Sequence, residues 1–205
     1  MILYTVIVAS NSVYSLASIF LPKIFEEKEI PGFWVGLIFS MYSIASVISS
    51  PFIGTLITKC GFANLIAFGL TAMGASIIPF AFIKGIENDT TSLVLGLLLR
   101  TLQGVASASI NTTCFSLAAT KYSDNTEFVV GMMEGVSGIG LVFGLMGGSV
   151  IFEAMGYMAV FIGFGSILPI LAIVSRMLFY CIEKKELACE AERQANALLQ
   201  DSNGS

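Results

Sequence analysis

The chain has no histidine, one tryptophan and little charge: Asp, Glu, Lys and Arg together make up 12% of its 205 residues. Without histidine, the commonest metal ligand and the usual general base are both missing. There is no glycine loop followed by Lys to cradle phosphate and no Ser-His-Asp set. Paired aspartates inside apolar stretches, which an intramembrane protease would need, are also missing. The residues therefore give no enzyme signature and imply no cofactor and no metal. Basic residues are dispersed rather than clustered, which speaks against a nucleic-acid partner. Cys60, Cys114, Cys181 and Cys189 fit neither zinc nor disulfide spacing. So little charge also argues against a soluble domain, which needs more polar surface than this.

What the chain has instead is apolar length. Hydrophobic residues make up 56% of it, in blocks at about 2–21, 33–57, 62–83, 91–119, 128–152 and 157–180. Each reaches about 20 residues or more, enough to cross roughly 30 Å of hydrocarbon as a helix. The expected fold is an all-α membrane protein whose residues 1–180 form a bundle of six transmembrane helices in a lipid bilayer. Residues 181–205 are expected to form a polar helix or linker tail, with Leu187, Ala191, Ala195 and Leu198 at helical spacing. The first block breaks at Pro22 and the charged stretch Lys23 to Glu29. It lacks a basic leader and a small-x-small cleavage site, so it reads as retained rather than as a signal peptide.

Basic residues set the expected orientation. With the amino terminus cytoplasmic, Lys59, Lys121, Arg176, Lys184, Lys185 and Arg193 fall inside, and Lys23, Lys28 and Lys84 outside. Both termini are then cytoplasmic, and the cysteines lie near the reducing side. Cys181 reads as a palmitoylation site or as an unmodified thiol. Asn88-Asp89-Thr90 is a glycosylation sequon on the outer side, set close against the next span.

Three features stand out from the apolar background. Arg100 lies inside the fourth span, where a charge costs at least about 2.5–3.5 kcal/mol on insertion scales and so requires a partner. Glu134, the only acid inside a predicted span, is expected at a depth within about one helical turn of it. Arg100 then belongs to a substrate or proton pathway, or to a structural ion pair, or is capped by carbonyls and by Gln103. Second, Gly140, Gly144 and Gly148 form successive small-xxx-small steps that invite close helix approach. Third, the first and fourth spans carry Asn11, Gln103 and Asn111 among several serines and threonines. These either line a wet cavity or bond helix to helix. Tyr14, Phe39 and Tyr42 offer ring faces to an organic solute or pack among their neighbours.

Residues 54–61, Gly-Thr-Leu-Ile-Thr-Lys-Cys-Gly, are similar to the loop motif G-x-L-x-D-R-x-G of the major facilitator superfamily, with Gly54, Lys59 and Gly61 kept and Thr58 in place of Asp. Arg100-Thr101-Leu102-Gln103-Gly104 resembles the fourth-helix motif R-x-x-Q-G. The glycine series after Glu134 resembles the fifth-helix antiporter motif, with Leu145 where proline is usual. The resemblance covers essentially the whole chain and leans toward the vesicular amine and polyamine or drug:proton antiporter branch. It implies one six-helix half of a secondary transporter exchanging protons for a small organic solute, such as an organic cation, amine or drug-like molecule. Arg100, Glu134 and Gln103 would couple protons, while Asn11, Tyr14, Tyr42 and Asn111 would line the cavity. Gly54, Lys59, Gly61, Gly104, Gly140, Gly144 and Gly148 would serve gating and packing. A second half or a second copy would complete the transporter, in the plasma membrane or a vesicle or organelle membrane, and the present chain would be a fragment, a truncated gene model or a half-size protein. The alternative is a non-transporting structural or regulatory membrane protein that keeps the half-bundle.

Overall fold

The computed structural model describes residues 2–86, 88–122 and 125–203, with side chains as far as Cys181. Its helices are α1 (Ile2–Glu27), α2 (Gly32–Cys60), α3 (Phe62–Ile77), α4 (Phe80–Ile83), α5 (Asp89–Lys121), α6 (Thr126–Met155) and α7 (Tyr157–Asn203). No strand occurs among the described residues. Six spans are long and apolar enough to cross a membrane: α1, α2, α3 with α4, α5, α6 and Tyr157–Cys181 of α7. A chain this apolar must bond its own backbone in lipid, and a helix does so within one segment. The chain is a multi-pass membrane protein, with six transmembrane helices among the described residues.

One expected break is absent, and one break appears inside a span expected to be continuous. α1 does not stop at Pro22 but continues to Glu27. Proline removes one intrahelical donor, but the ladder resumes beyond it, with Lys28 N–H donating to Ile24 O at 3.2 Å. The helix ends where Glu29 turns to φ 55 and Ile30 N–H reaches back to Phe25 O at 3.0 Å, the bonding pattern of a Schellman cap. The third span, by contrast, is interrupted before Pro79, which separates α3 from α4. The tail residues Leu187, Ala191, Ala195 and Leu198 continue the backbone helix of α7. Their side chains, like those of Lys184, Lys185, Cys189 and Arg193, lie outside the described residues.

α1 packs on α6, α2 on α5, and α3 on both α5 and α7. Exchanging the first three spans with the last three maps the first two pairings onto each other, as in two three-helix repeats, but the packing of α3 on α5 has no equally extensive counterpart between α7 and α1. The core joins buried Leu16, Leu21 and Phe25 of α1 with Leu70, Met73 and Ile77 of α3, Ile110 of α5 and Phe161 of α7. Outward faces remain apolar, including Val47 and Phe52 of α2 and Phe143 and Met146 of α6, as contact with lipid tails requires. At one end Lys84 pairs with Glu27 at 2.9 Å. Lys28 donates there to Ile86 O and to Ser92 Oγ, the latter at 3.1 Å, and Tyr157 Oη donates to Phe80 O at 2.8 Å. The sequon residue Asn88 caps α5 at that end, its side chain accepting from Thr90 N–H.

Single glycines make the two tightest links. Gly61 joins α2 to α3 at φ 77, ψ 159, and Gly156 joins α6 to α7 at φ 81, ψ −179. That region is essentially closed to residues with a Cβ. Replacing Gly61 by Ala is expected to destabilise the chain by about 1–3 kcal/mol, read as a lower thermal midpoint in detergent. The corresponding change at Gly36 inside α2, where a Cβ would have no neighbour within 4 Å, should leave the midpoint unchanged or raise it.

Candidate functional site

Arg100, Gln103, Ser107 and Asn111 recur every three or four residues along α5 and so share one face of it. Gly104 stands among them for a steric reason. A Cβ there would lie 2.3 Å from the carbonyl oxygen of Tyr42 and 2.8 Å from Ala45 Cβ, so only glycine lets α2 come this close. The close approach lays Phe39 and Tyr42 of α2 over the polar face. Tyr42 Oη donates to Ser107 Oγ at 2.7 Å, and Asn111 Nδ2 donates to the same oxygen at 3.1 Å. Ser107 is thus the hub of the track, although nothing but its spacing from Arg100 and Asn111 sets it apart in the sequence from neighbouring hydroxyls.

Arg100 is 0% exposed and is the largest fully buried side chain among the described residues. Its Nη1 donates to Gln103 Oε1 at 3.3 Å. Aromatic rings surround the charge: the guanidinium carbon lies 4.6 Å from the Phe39 centroid, 5.8 Å from that of Tyr42 and 6.0 Å from that of Tyr14. Tyr14 and Tyr42 close on each other with centroids 4.7 Å apart. Ring faces attract a cation by about 0.5–2 kcal/mol each, which offsets part of the burial cost. They do not replace hydrogen-bond acceptors. Arg100 Nε and Nη2 and Gln103 Nε2 are buried with no hydrogen-bond partner.

The expected pairing of Arg100 with Glu134 does not occur. Glu134 is exposed on α6 and makes no ion pair with Arg100 among the described residues. α1 provides the ruler: Tyr4 Oη touches Met132 Sδ at 4.0 Å, whereas Tyr14 faces Arg100. Those two tyrosines are ten residues apart on one helix, so Arg100 and Glu134 differ in depth by roughly 15 Å. The two depths were expected to agree when Arg100 was counted inward from one edge and Glu134 from the other, but α5, 33 residues and about 50 Å long, exceeds the roughly 30 Å of hydrocarbon.

The glycine series of α6 divides into two faces. At Gly140 a Cβ would lie 2.8 Å from Val8 O, at Gly144 2.3 Å from Ser12 O, and at Gly148 2.1 Å from Leu16 Cδ2. This face is where α1 lies, held also by Ser12 Oγ donating to Gly140 O at 2.9 Å. Gly131, Gly135 and Gly138 have no neighbour within 4 Å of a Cβ. Asn11 is half-buried beside Gly140, its Nδ2 donating to Ile7 O at 2.9 Å, so it is apart from the Arg100 cluster. In the loop motif, Gly54 has open space where a Cβ would be and packs against nothing, Lys59 is exposed, and Gly61 makes the turn. The site therefore unites Arg100, Gln103, Tyr14, Tyr42 and Asn111, and leaves Asn11 and Glu134 elsewhere.

Comparison with known proteins agrees with this architecture. The family model of the Major Facilitator Superfamily matches residues 2–202. The chain is 25% identical over 127 residues to the human MFS-type transporter SLC18B1, a match covering 62% of this chain and 28% of that protein. It is 32% identical over 93 residues to the vesicular acetylcholine transporter of Torpedo marmorata and, over the same length, to the human synaptic vesicular amine transporter. Each of these two matches covers 45% of this chain and 17% of the relative, so the chain spans well under two thirds of the relatives it matches. With the family model matched from α1 into the far end of α7, the chain belongs to the Major Facilitator Superfamily.

Proposed function

We propose that this chain serves secondary active transport of a small organic solute, coupled to protons, as one six-helix half of the transporting unit. The observation that carries the reading is Arg100, a fully buried cation held by aromatic rings on a polar face of α5. Ionisable groups placed inside a membrane at such cost usually mark a solute or ion pathway. Printed names of the relatives, a vesicular acetylcholine transporter and a synaptic vesicular amine transporter, support an organic cation, amine or drug-like molecule as the solute class. Arg100 and Gln103 would hold the central charge. Glu134, on a different helix face, would take part only as a separate proton-binding group. The unit would be completed by a second six-helix half or a second copy, with both termini cytoplasmic, in a vesicle, organelle or plasma membrane.

A second reading, a structural or regulatory subunit that does not transport, is favoured by one observation. Thr58 stands where the loop motif has Asp, and its hydroxyl turns back to its own helix, donating to Thr55 O at 2.8 Å, which leaves the turn without a carboxylate for a charge network. Reconstitution separates the two. Proteoliposomes with an imposed proton gradient are expected to accumulate at least one member of a panel of radiolabelled amines, and Arg100→Ala is expected to abolish that uptake. No uptake across the panel, together with no effect of Arg100→Ala, would sink the transport reading.

A further inference from the structure

Nε and Nη2 of an arginine lie along one side of the planar guanidinium, and their N–H bonds run parallel. This edge matches the two oxygens of a carboxylate, the fork geometry that makes arginine rather than lysine the residue for bidentate acceptors. In Arg100 that edge is buried and unpartnered, while the remaining nitrogen, Nη1, donates to Gln103 Oε1. The same bond turns Gln103 so that its Nε2, another donor, is also buried without an acceptor. Three donors are left and no acceptor. No neighbour supplies one: Phe39 offers only ring faces, neither the Tyr14 nor the Tyr42 hydroxyl accepts from Nε or Nη2, and Glu134 is at another depth. A buried donor without a partner costs about 1–3 kcal/mol, and more when charged, so the site favours a ligand that brings acceptors.

We propose that Arg100 and Gln103 form a carboxylate-binding fork, and that the organic solute handled here carries a carboxylate, which Arg100 Nε and Nη2 take side-on while Gln103 Nε2 bonds one of its oxygens. An aromatic or apolar body beside that carboxylate would lie among the rings of Tyr14, Phe39 and Tyr42. The proposal deepens the transport reading and rests on it only in assigning the carboxylate to a transported solute; binding itself is measured without transport. It changes the expected solute class from a simple amine to a carboxylate or zwitterion, because among the described residues no acid stands beside the fork to receive an ammonium group.

The test uses the purified full chain in detergent micelles and three probes that share a ring: benzoate, benzylamine and benzyl alcohol. Titration calorimetry is expected to show saturable binding of benzoate only. Arg100→Lys, which keeps the charge but removes the fork, is expected to weaken benzoate by about tenfold or more, roughly 1.4 kcal/mol per factor of ten. Gln103→Leu should weaken it several-fold and gives a second variant if Arg100→Lys does not fold. Binding of benzylamine in preference to benzoate overturns the proposal, as does benzoate binding that both variants leave unchanged, or the absence of benzoate binding altogether. Chloride displacing benzoate at equal concentration would mark a point-charge anion site and overturns the carboxylate assignment too. Uptake in proteoliposomes keeps the two readings apart. Proton-driven uptake of amines without benzoate binding sinks only the fork, and benzoate binding without uptake of any solute sinks only transport.

Discussion

Gly144→Val is expected to separate α1 from α6 and to prevent the bundle from forming its native core. A Cβ at residue 144 would lie 2.3 Å from Ser12 O, 2.7 Å from Ser12 Cα and 2.1 Å from Ser15 Oγ. Two of those three atoms are backbone, so no rotamer change relieves the overlap and α1 itself must move outward. Overpacking in a soluble core commonly costs about 1–3 kcal/mol, and a rigid backbone neighbour puts this site above that range. The displacement would also pull Ser12 from Gly140 O, now 2.9 Å away. Loss of the folded, monodisperse protein in size-exclusion chromatography is the expected readout. Gly138→Val on the same helix is the control, because a Cβ there meets nothing within 4 Å. If both variants behave alike, the loss comes from valine in α6 rather than from the α1 contact, and the packing argument fails.

Arg100→Met is expected to leave thermal stability unchanged or raise it, while abolishing uptake. Removal of the guanidinium eliminates a charge that costs at least about 2.5–3.5 kcal/mol at mid-membrane. It also eliminates the two buried, unpartnered donors Nε and Nη2. What is lost is the attraction of three rings and one hydrogen bond, at 3.3 Å, to Gln103. Methionine is long and flexible enough to fill the space among Tyr14, Phe39 and Tyr42. Replacing a poorly satisfied buried charge by an apolar residue of similar volume is often neutral or stabilising by about 1–4 kcal/mol. A structural role predicts the reverse, a marked fall in melting temperature with Arg100→Met. Thermal melts and uptake measured on the same preparation separate the two cases, since a residue kept for function at the expense of stability shows opposite signs in them.

Much of this was legible in the order of residues. Blocks of apolar length, the scarcity of charge and the small-xxx-small steps follow from properties that each residue carries alone: its transfer energy and its size. They determine six spans, a bundle and the need for a partner around Arg100. The motifs at residues 54–61, at 100–104 and after Glu134 carry the family resemblance in sequence alone. Helix ends were less legible, because a charged stretch beyond the lipid can remain helical, as α1 does past Pro22 to Glu27.

Tertiary structure alone decided which partner Arg100 takes. The sequence offered two partners, Glu134 at a comparable depth and Gln103 one turn along α5, and only the second is engaged. The register between helices ruled Glu134 out: Gly104 lets α2 approach α5, and that approach carries Phe39 and Tyr42 over the guanidinium. Meanwhile α1, set on Gly140, Gly144 and Gly148, fixes Glu134 roughly 15 Å away in depth. The sequence by itself determined that a buried charge exists and that it must be answered. Only the packing of backbones at two glycine contacts decided that rings answer part of it and that a side-on pair of donors is left open. The physical reason is that burial depends on composition, whereas pairing depends on the rotation and depth of each helix against its neighbours, and those are set by contacts far apart in the chain.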